Sequence, residues 1–155
     1  MRINSTALED QLSRVRELEN RLTFRLSVVS KLLDRHSQTF LEGSQLNLSS
    51  YRILAVVHTF EQISISDISR FNAMDRAQVS RAAIELEKLG LVSFCADPQS
   101  KRKKMVTLTE QGLTTLEQIQ PEFDKYRLRL EQALGPDNMQ ALSTGLARLT
   151  QVVSE

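Results

Sequence analysis

Asp75-Arg76-Ala77-Gln78-Val79-Ser80-Arg81, then Leu86-Glu87-Lys88-Leu89-Gly90-Leu91-Val92, then Lys101-Arg102-Lys103-Lys104, then Val106-Thr107-Leu108-Thr109 form the stretch that decides the fold. In chain order it reads as a capped helix, a glycine stop, an apolar strand, a basic tip and a second strand. Asp75 can accept from the free backbone N–H groups two or three residues on, and its charge favours the positive end of the helix dipole. At about 100° per residue, Val79, Ala82, Ala83, Leu86 and Leu89 share one face, which is expected to be buried. The other face carries Ala77, Ser80, Arg81, Ile84 and Lys88, flanked by Arg76 and Gln78.

Those side chains are the types that read DNA. Arg81 or Arg76 suits a bidentate contact to guanine, and Gln78 suits adenine. Ala77 allows close approach or meets a thymine methyl, while Ser80 and Lys88 suit phosphates. A helix with such a face is, standing alone, more often ordinary solvated surface. Its neighbours change that reading. Only Asn72-Ala73-Met74 separates Phe71 from Asp75, a connection suited to a sharply angled helix-turn-helix. After the helix, Gly90 is a stop, and Leu91–Phe94 and Met105–Leu108 alternate as two strands. Between them lies Asp97-Pro98-Gln99-Ser100 followed by Lys101, Arg102, Lys103 and Lys104. Asp-Pro begins a turn, and four consecutive cations placed after a recognition-type helix point to a phosphate clamp.

Taken together the motifs resemble the MarR family of winged helix-turn-helix regulators. The resemblance rests on Leu48-Ser49 with Leu54, Asp67-Ile68-Ser69, the run Asp75 to Arg81, Leu86-Glu87 with Gly90-Leu91-Val92, Asp97-Pro98, Arg102, and Val106 with Leu108-Thr109 and Gly112. It covers residues 46 to 112, and the flanking helices by length and pattern. It implies a homodimer with interlocked terminal helices, recognition helices in successive major grooves of a pseudo-palindromic site, and wings at the minor groove. Arg102 stands where the family has its wing arginine. Two positions depart from the pattern: Ser100 replaces an acidic residue two before that arginine, and Phe94 replaces a cation in the first wing strand, so Lys101 and Lys103 are expected to share the work of Arg102.

Upstream, Leu8, Val15, Leu22 and Val29 recur every seven residues, with Leu12, Glu19, Leu26 and Leu33 as a second row. No Gly or Pro precedes Gly43, so one helix from about Leu8 to Leu41 is expected, bent where Ser27 and Ser30 cluster. Its seam either packs on the chain's own C-terminal helices or is shared with a second copy. Ser49 is the expected N-cap of the next helix, which buries Ile53, Leu54, Val56, Val57 and Phe60. Ile63-Ser64-Ile65-Ser66 alternates as a minor strand beside the hairpin before Ser64 or Ser66 caps a short helix through Phe71. Downstream, Thr109 caps a helix toward Leu134 with Leu113, Leu116, Ile119, Phe123, Tyr126 and Leu130 as its stripe and Pro121 as its bend. Gly135-Pro136-Asp137 restarts it, and Met139, Leu142, Leu146, Leu149 and Val153 form a last seam. The expected class is mainly α with a small β-hairpin wing, a winged helix-turn-helix with long terminal dimerisation helices. Residues 1–45 and 113–155 are read as dimerising through Leu8, Leu12, Val15, Leu22, Leu142, Leu146 and Leu149, and 46–112 as the DNA-binding part.

The totals set limits. A chain of 155 residues, 41% hydrophobic, suits one core, and a net charge of +1 makes charge placement matter more than charge sum. A single cysteine, Cys95, leaves no internal disulfide framework and fits a reducing compartment, the cytoplasm being the simplest. No run approaches the roughly 20 apolar residues of a membrane span, and no signal peptide is read. His36 and His58 lack partners at ligand spacing, so no metal is expected, and His58 reads as a satisfied structural histidine. No cofactor motif or catalytic constellation stands out, so the chain is not read as an enzyme. The expected function is a dimeric regulator binding double-stranded DNA, most often a repressor in families of this kind. Its signal is either a small apolar or aromatic effector between the dimer helices and the winged part, or oxidation of Cys95 in the wing near the cationic run. The rival reading is a helical interaction module whose winged part binds a protein.

Overall fold

The computed structural model describes the backbone of residues 5–97 and 100–154 and the side chains of 7–97 and 104–154. Two compact units meet in sequence between Leu48 and Ser49. The first holds α1 (Ser5–Asn20) and α2 (Leu22–Thr39). The single helix expected here is broken at Arg21, whose ψ of 125° is extended, and not near Ser27 and Ser30. The break leaves few backbone groups idle, because Arg21 N–H still donates to Leu18 O at 3.1 Å while its own carbonyl accepts from Arg25 N at 3.0 Å. One residue thus closes α1 and opens α2, and its guanidinium reaches back to Glu17 at 3.1 Å.

The second unit carries the winged helix-turn-helix. Helix α3 (Leu48–Phe60) begins one residue before Ser49, which therefore sits inside the helix and is not its N-cap. Ile53, Leu54, Val56 and Val57 are buried as their spacing requires. Phe60, expected to join them, is 47% exposed and meets Phe71 edge-to-face at 5.3 Å. The chain turns immediately after it, at Glu61 with φ 58°, so Phe60 lies at the end of the apolar stripe. Strand β1 (Gln62–Ser64) follows, and of the two candidate serines it is Ser64 that caps α4 (Ile65–Phe71), accepting from Asp67 N at 3.2 Å.

Helix α5 (Arg76–Lys88), strands β2 (Val92–Asp97) and β3 (Ser100–Leu108), and the 44-residue α6 (Glu110–Val153) complete the chain. The sheet is antiparallel in the order β1-β3-β2, with Ile63 opposite Val106 and Phe94 opposite Val106 from the other side. Its core brings together Ile53, Leu54 and Val57 of α3, Ile68 of α4, Val79, Ala83 and Leu86 of α5, Val92 and Val106 of the hairpin, and Leu116 of α6. Each larger side chain buried there contributes about 1.5–3 kcal/mol. Helix α6 runs helically through Pro121, where a bend was expected. Its break falls at Gly135, with φ 72° and ψ 163°. Pro136 explains the position, since a proline disfavours helical backbone at the residue before it and glycine tolerates positive φ. Tyr51 of α3 stacks on Phe123 of α6 with ring centroids 3.9 Å apart.

Candidate nucleic-acid interface

The turn between α4 and α5 is closed from both sides. Met74 N–H donates to Ser69 O at 3.0 Å, and Ser69 Oγ donates to Met74 O at 2.6 Å. Ala73 turns the chain with φ 49°, a left-handed conformation unusual for a residue with a Cβ. Asp75 then caps α5, its carboxylate accepting from Gln78 N at 3.0 Å. Val79, Ala83 and Leu86 anchor the inner face, while Ala82 and Leu89, expected fully inside, are half-buried.

Outward from that anchor, Arg76, Ala77, Gln78, Arg81 and Lys88 are exposed, Ser80 is half-buried and Ile84 is 43% exposed. Among the described residues none of the three cations is held in an ion pair. The donors of Arg76 and the amide of Gln78 are available to an external acceptor near the positive end of the helix dipole, while Arg81 lies further along and Lys88 in the last turn. At the other end, Gly90 takes φ 73°. Its N–H donates to Glu87 O, and the N–H of Leu91 donates to Leu86 O, both at 2.9 Å. That pair of bonds is a Schellman stop.

The wing differs from expectation in extent. Both strands are longer than the alternation suggested, so Lys101 to Lys104 lie on β3 and not in a free tip. Pairing continues to Ala96 opposite Lys104, then shifts at a bulge before Asp97 meets Ser100. Of the basic run, Lys104 is paired in register, and residues 101 to 103 span the bulge between Lys104 and Ser100. Lys104 is exposed, with Nζ 5.8 Å from the centroid of the Phe94 ring. A cation therefore stands over the position where the family pattern has one in the first strand. Pro98 and Gln99, and the side chains of Ser100, Lys101, Arg102 and Lys103, lie outside the described residues.

Cys95 is half-buried opposite Met105, and its Sγ accepts from Gln62 Nε2 at 2.9 Å. Successive strand residues face opposite ways, so the thiol and the ammonium of the next residue, Lys104, are on different faces of the sheet. His58, expected as a structural histidine, is exposed in the last turn of α3, and among the described residues no three metal-ligating side chains converge. A contact that sequence reasoning missed joins α5 to α6: Thr109 Oγ1 donates to Gly90 O at 2.6 Å and accepts from Gly112 N at 3.0 Å. The signal was present as a threonine three residues before a glycine, but nothing local identifies the carbonyl it meets.

A three-stranded sheet, a helix-turn-helix and a hairpin behind the second helix define a winged helix-turn-helix protein. Residues 44–103 match the model of the MarR family. The HTH-type transcriptional regulator Hpr of Halalkalibacterium halodurans is 29% identical over 143 residues, 77% of this chain and 74% of that protein. The chain spans about half the length of further curated relatives, 48% and 47% of two of them. Among solved structures, the S. aureus MepR–DNA complex superposes with a TM-score of 0.80 at 18% identity, covering 87% of this chain and 98% of that one. Bordetella bronchiseptica BpsR, whose DNA binding is regulated by 6-hydroxynicotinic acid, gives 0.76 at 21% identity over 85% and 94%. Among the described residues no helix is long and apolar enough to cross a membrane.

Proposed function

We propose that this chain is a sequence-specific DNA-binding transcriptional regulator that acts as a homodimer on a pseudo-palindromic operator. The observation that carries the reading is the outer face of α5, where Arg76, Ala77, Gln78 and Arg81 stand exposed behind a capped N-terminus. In this assignment Arg81 or Arg76 reads guanine, Gln78 reads adenine, Ala77 allows close approach, and Ser80 and Lys88 bind phosphate. Lys101, Arg102, Lys103 and Lys104 of the wing supply the sequence-independent part.

The dimer assignment divides the chain into 1–45 and 113–155 for association and 46–112 for DNA. It is supported by apolar surface that a lone chain leaves in water. Leu8, Leu12, Val15 and Leu22 are 46%, 47%, 43% and 56% exposed, and Leu142 and Leu146 are 43% exposed, with Leu149 half-buried. Rows of this kind mark interfaces more often than free surface. Binding across a promoter makes repression the expected outcome, relieved by a small aromatic or apolar effector, in line with the regulation of BpsR. The alternative signal, oxidation of Cys95, calls for a comparison of wild type and Cys95→Ser with and without peroxide; equal sensitivity removes it.

Selection of bound sequences from random DNA tests the reading as a whole. A spaced inverted repeat is expected, with half-sites about one helical turn apart or a multiple of it. Weak binding without sequence preference, and without a steep fall of affinity with salt, would instead favour a winged module that binds a protein.

A further inference from the structure

The stop that follows α5 is not left to water; the carbonyls of its three residues are taken up by Thr109 and the first turn of α6. Leu89 O accepts from Gln111 Nε2 at 3.4 Å, Gly90 O from Thr109 Oγ1 at 2.6 Å, and Leu91 O from Thr109 N at 3.1 Å. Three successive carbonyls that a helix end and its stop would otherwise leave to water are thus bonded to one neighbouring segment. The Thr109 hydroxyl works in both directions, since it also accepts from Gly112 N at 3.0 Å and so caps α6.

Sterics close the same joint. A Cβ on Gly112 would lie 1.9 Å from Leu91 O, so α6 approaches the stop of α5 at a distance that only glycine permits. From the other side, a Cβ on Gly90 would meet Gln111 Oε1 at 3.1 Å. Tyr51 and Phe123, stacked further along, tie α6 to α3 as well, so the helix is held at two points of the winged unit.

We infer that Thr109, Gln111 and Gly112 are positioning residues for DNA recognition: they lock the orientation of α5 to that of α6, and so set which half-site separation the dimer accepts. The inference rests on the proposed dimeric DNA-binding function. None of the three need touch DNA. A helix whose end is bonded to the element that continues toward the proposed dimer seam cannot swing without moving that element. Up to the break at Gly135, α5 and α6 therefore move as one body, and two such bodies in a dimer hold their recognition helices at the separation their seam sets. Each base pair inserted between half-sites rotates the second one by about 35° around the duplex, so a rigid joint makes separation selective.

The test uses the full chain with Thr109→Val, Gln111→Ala, both together, and Thr109→Ser. Binding is measured on operators with zero, one and two base pairs inserted or removed, and on a single half-site. Wild type is expected to prefer one separation. In the double variant that preference should shrink by about fivefold or more, with half-site affinity retained. Thr109→Ser, which keeps both the donor and the acceptor, should restore it. A merely structural role would lower thermal stability and reduce affinity equally at every separation. That result, or an unchanged separation profile, overturns the inference. Amide hydrogen exchange in the DNA-free protein gives a second readout: the amides of Leu89, Gly90 and Leu91 should exchange faster in the double variant. Unchanged exchange with an intact fold overturns the coupling whatever DNA does. Faster exchange in a protein whose wild type selects no sequence sinks the DNA-binding reading, and the claim about separation with it, while the coupling of the two helices stands.

Discussion

Arg81 stands exposed one turn into α5, on the face opposite buried Val79, Ala83 and Leu86, and its guanidinium has a fork of donors matched to the O6 and N7 of guanine. Arg81→Ala should relax preference at one base pair of the selected site and cost about 1–3 kcal/mol there. An unchanged site and affinity would show that this face of the helix has been misassigned. Ala73 makes a prediction of the opposite sign. A Cβ in left-handed backbone costs about 1–2 kcal/mol, and glycine's greater freedom when unfolded offsets about half of that. Ala73→Gly should therefore stabilise the protein by roughly 0.5–1 kcal/mol in urea unfolding. A loss of stability would mean that the methyl makes a contact outweighing the strain. Gly112→Ala should act far more strongly. The clash with Leu91 O lies between two backbones, so a destabilisation of about 3 kcal/mol, at the upper end for overpacking, is expected from the same measurement.

The wing is where an element behaves differently from its letters. Lys101 to Lys104 read as a tip because they lie between the two alternating strands, yet they fall within β3, with pairing in register to Lys104 and a bulge over residues 101 to 103. As phosphate contacts, these lysines should contribute to affinity for every sequence alike. Lys101→Ala and Lys104→Ala should each flatten the log–log salt dependence of binding by about one contact, leaving the selected site unchanged. A changed site would assign them a base-reading role. Between α3 and α6, burial, and secondarily the charge of Asp124, raise the pKa of Tyr51 above its ordinary value near 10. The folded state therefore holds that proton more tightly than the unfolded chain does. The contribution is fully present below the unfolded value and is lost as pH rises through the folded one. Unfolding followed from pH 9 to 12 should show stability falling more steeply in wild type than in Tyr51→Phe. Equal slopes would exclude Tyr51 as the source.

At the scale of the whole molecule, the proposed homodimer is tested through its apolar rows. Leu12→Glu and Val15→Glu place charge in the exposed α1 row, so each should shift sedimentation toward monomer and weaken operator binding, while helix content stays near wild type. A dimer as stable as wild type would move the interface elsewhere. The sequence by itself determined the order of elements from α3 to α6, the Asp75 and Thr109 caps, the Gly90 stop, and which face of α5 is buried and which exposed. Each of these follows from interactions within a few residues, namely 3.6-residue periodicity, capping geometry and the φ that glycine allows. The structure decided the rest. Arg21 breaks the first helix because its neighbours still find backbone partners around it, a balance that no heptad count contains. Phe60 turns outward because the chain bends directly after it. The carbonyls of Leu89, Gly90 and Leu91 find Thr109 and Gln111 only once the hairpin has brought the two helix ends together. This last outcome depends on which groups meet across some twenty residues of chain, and local pattern carries no information about such encounters.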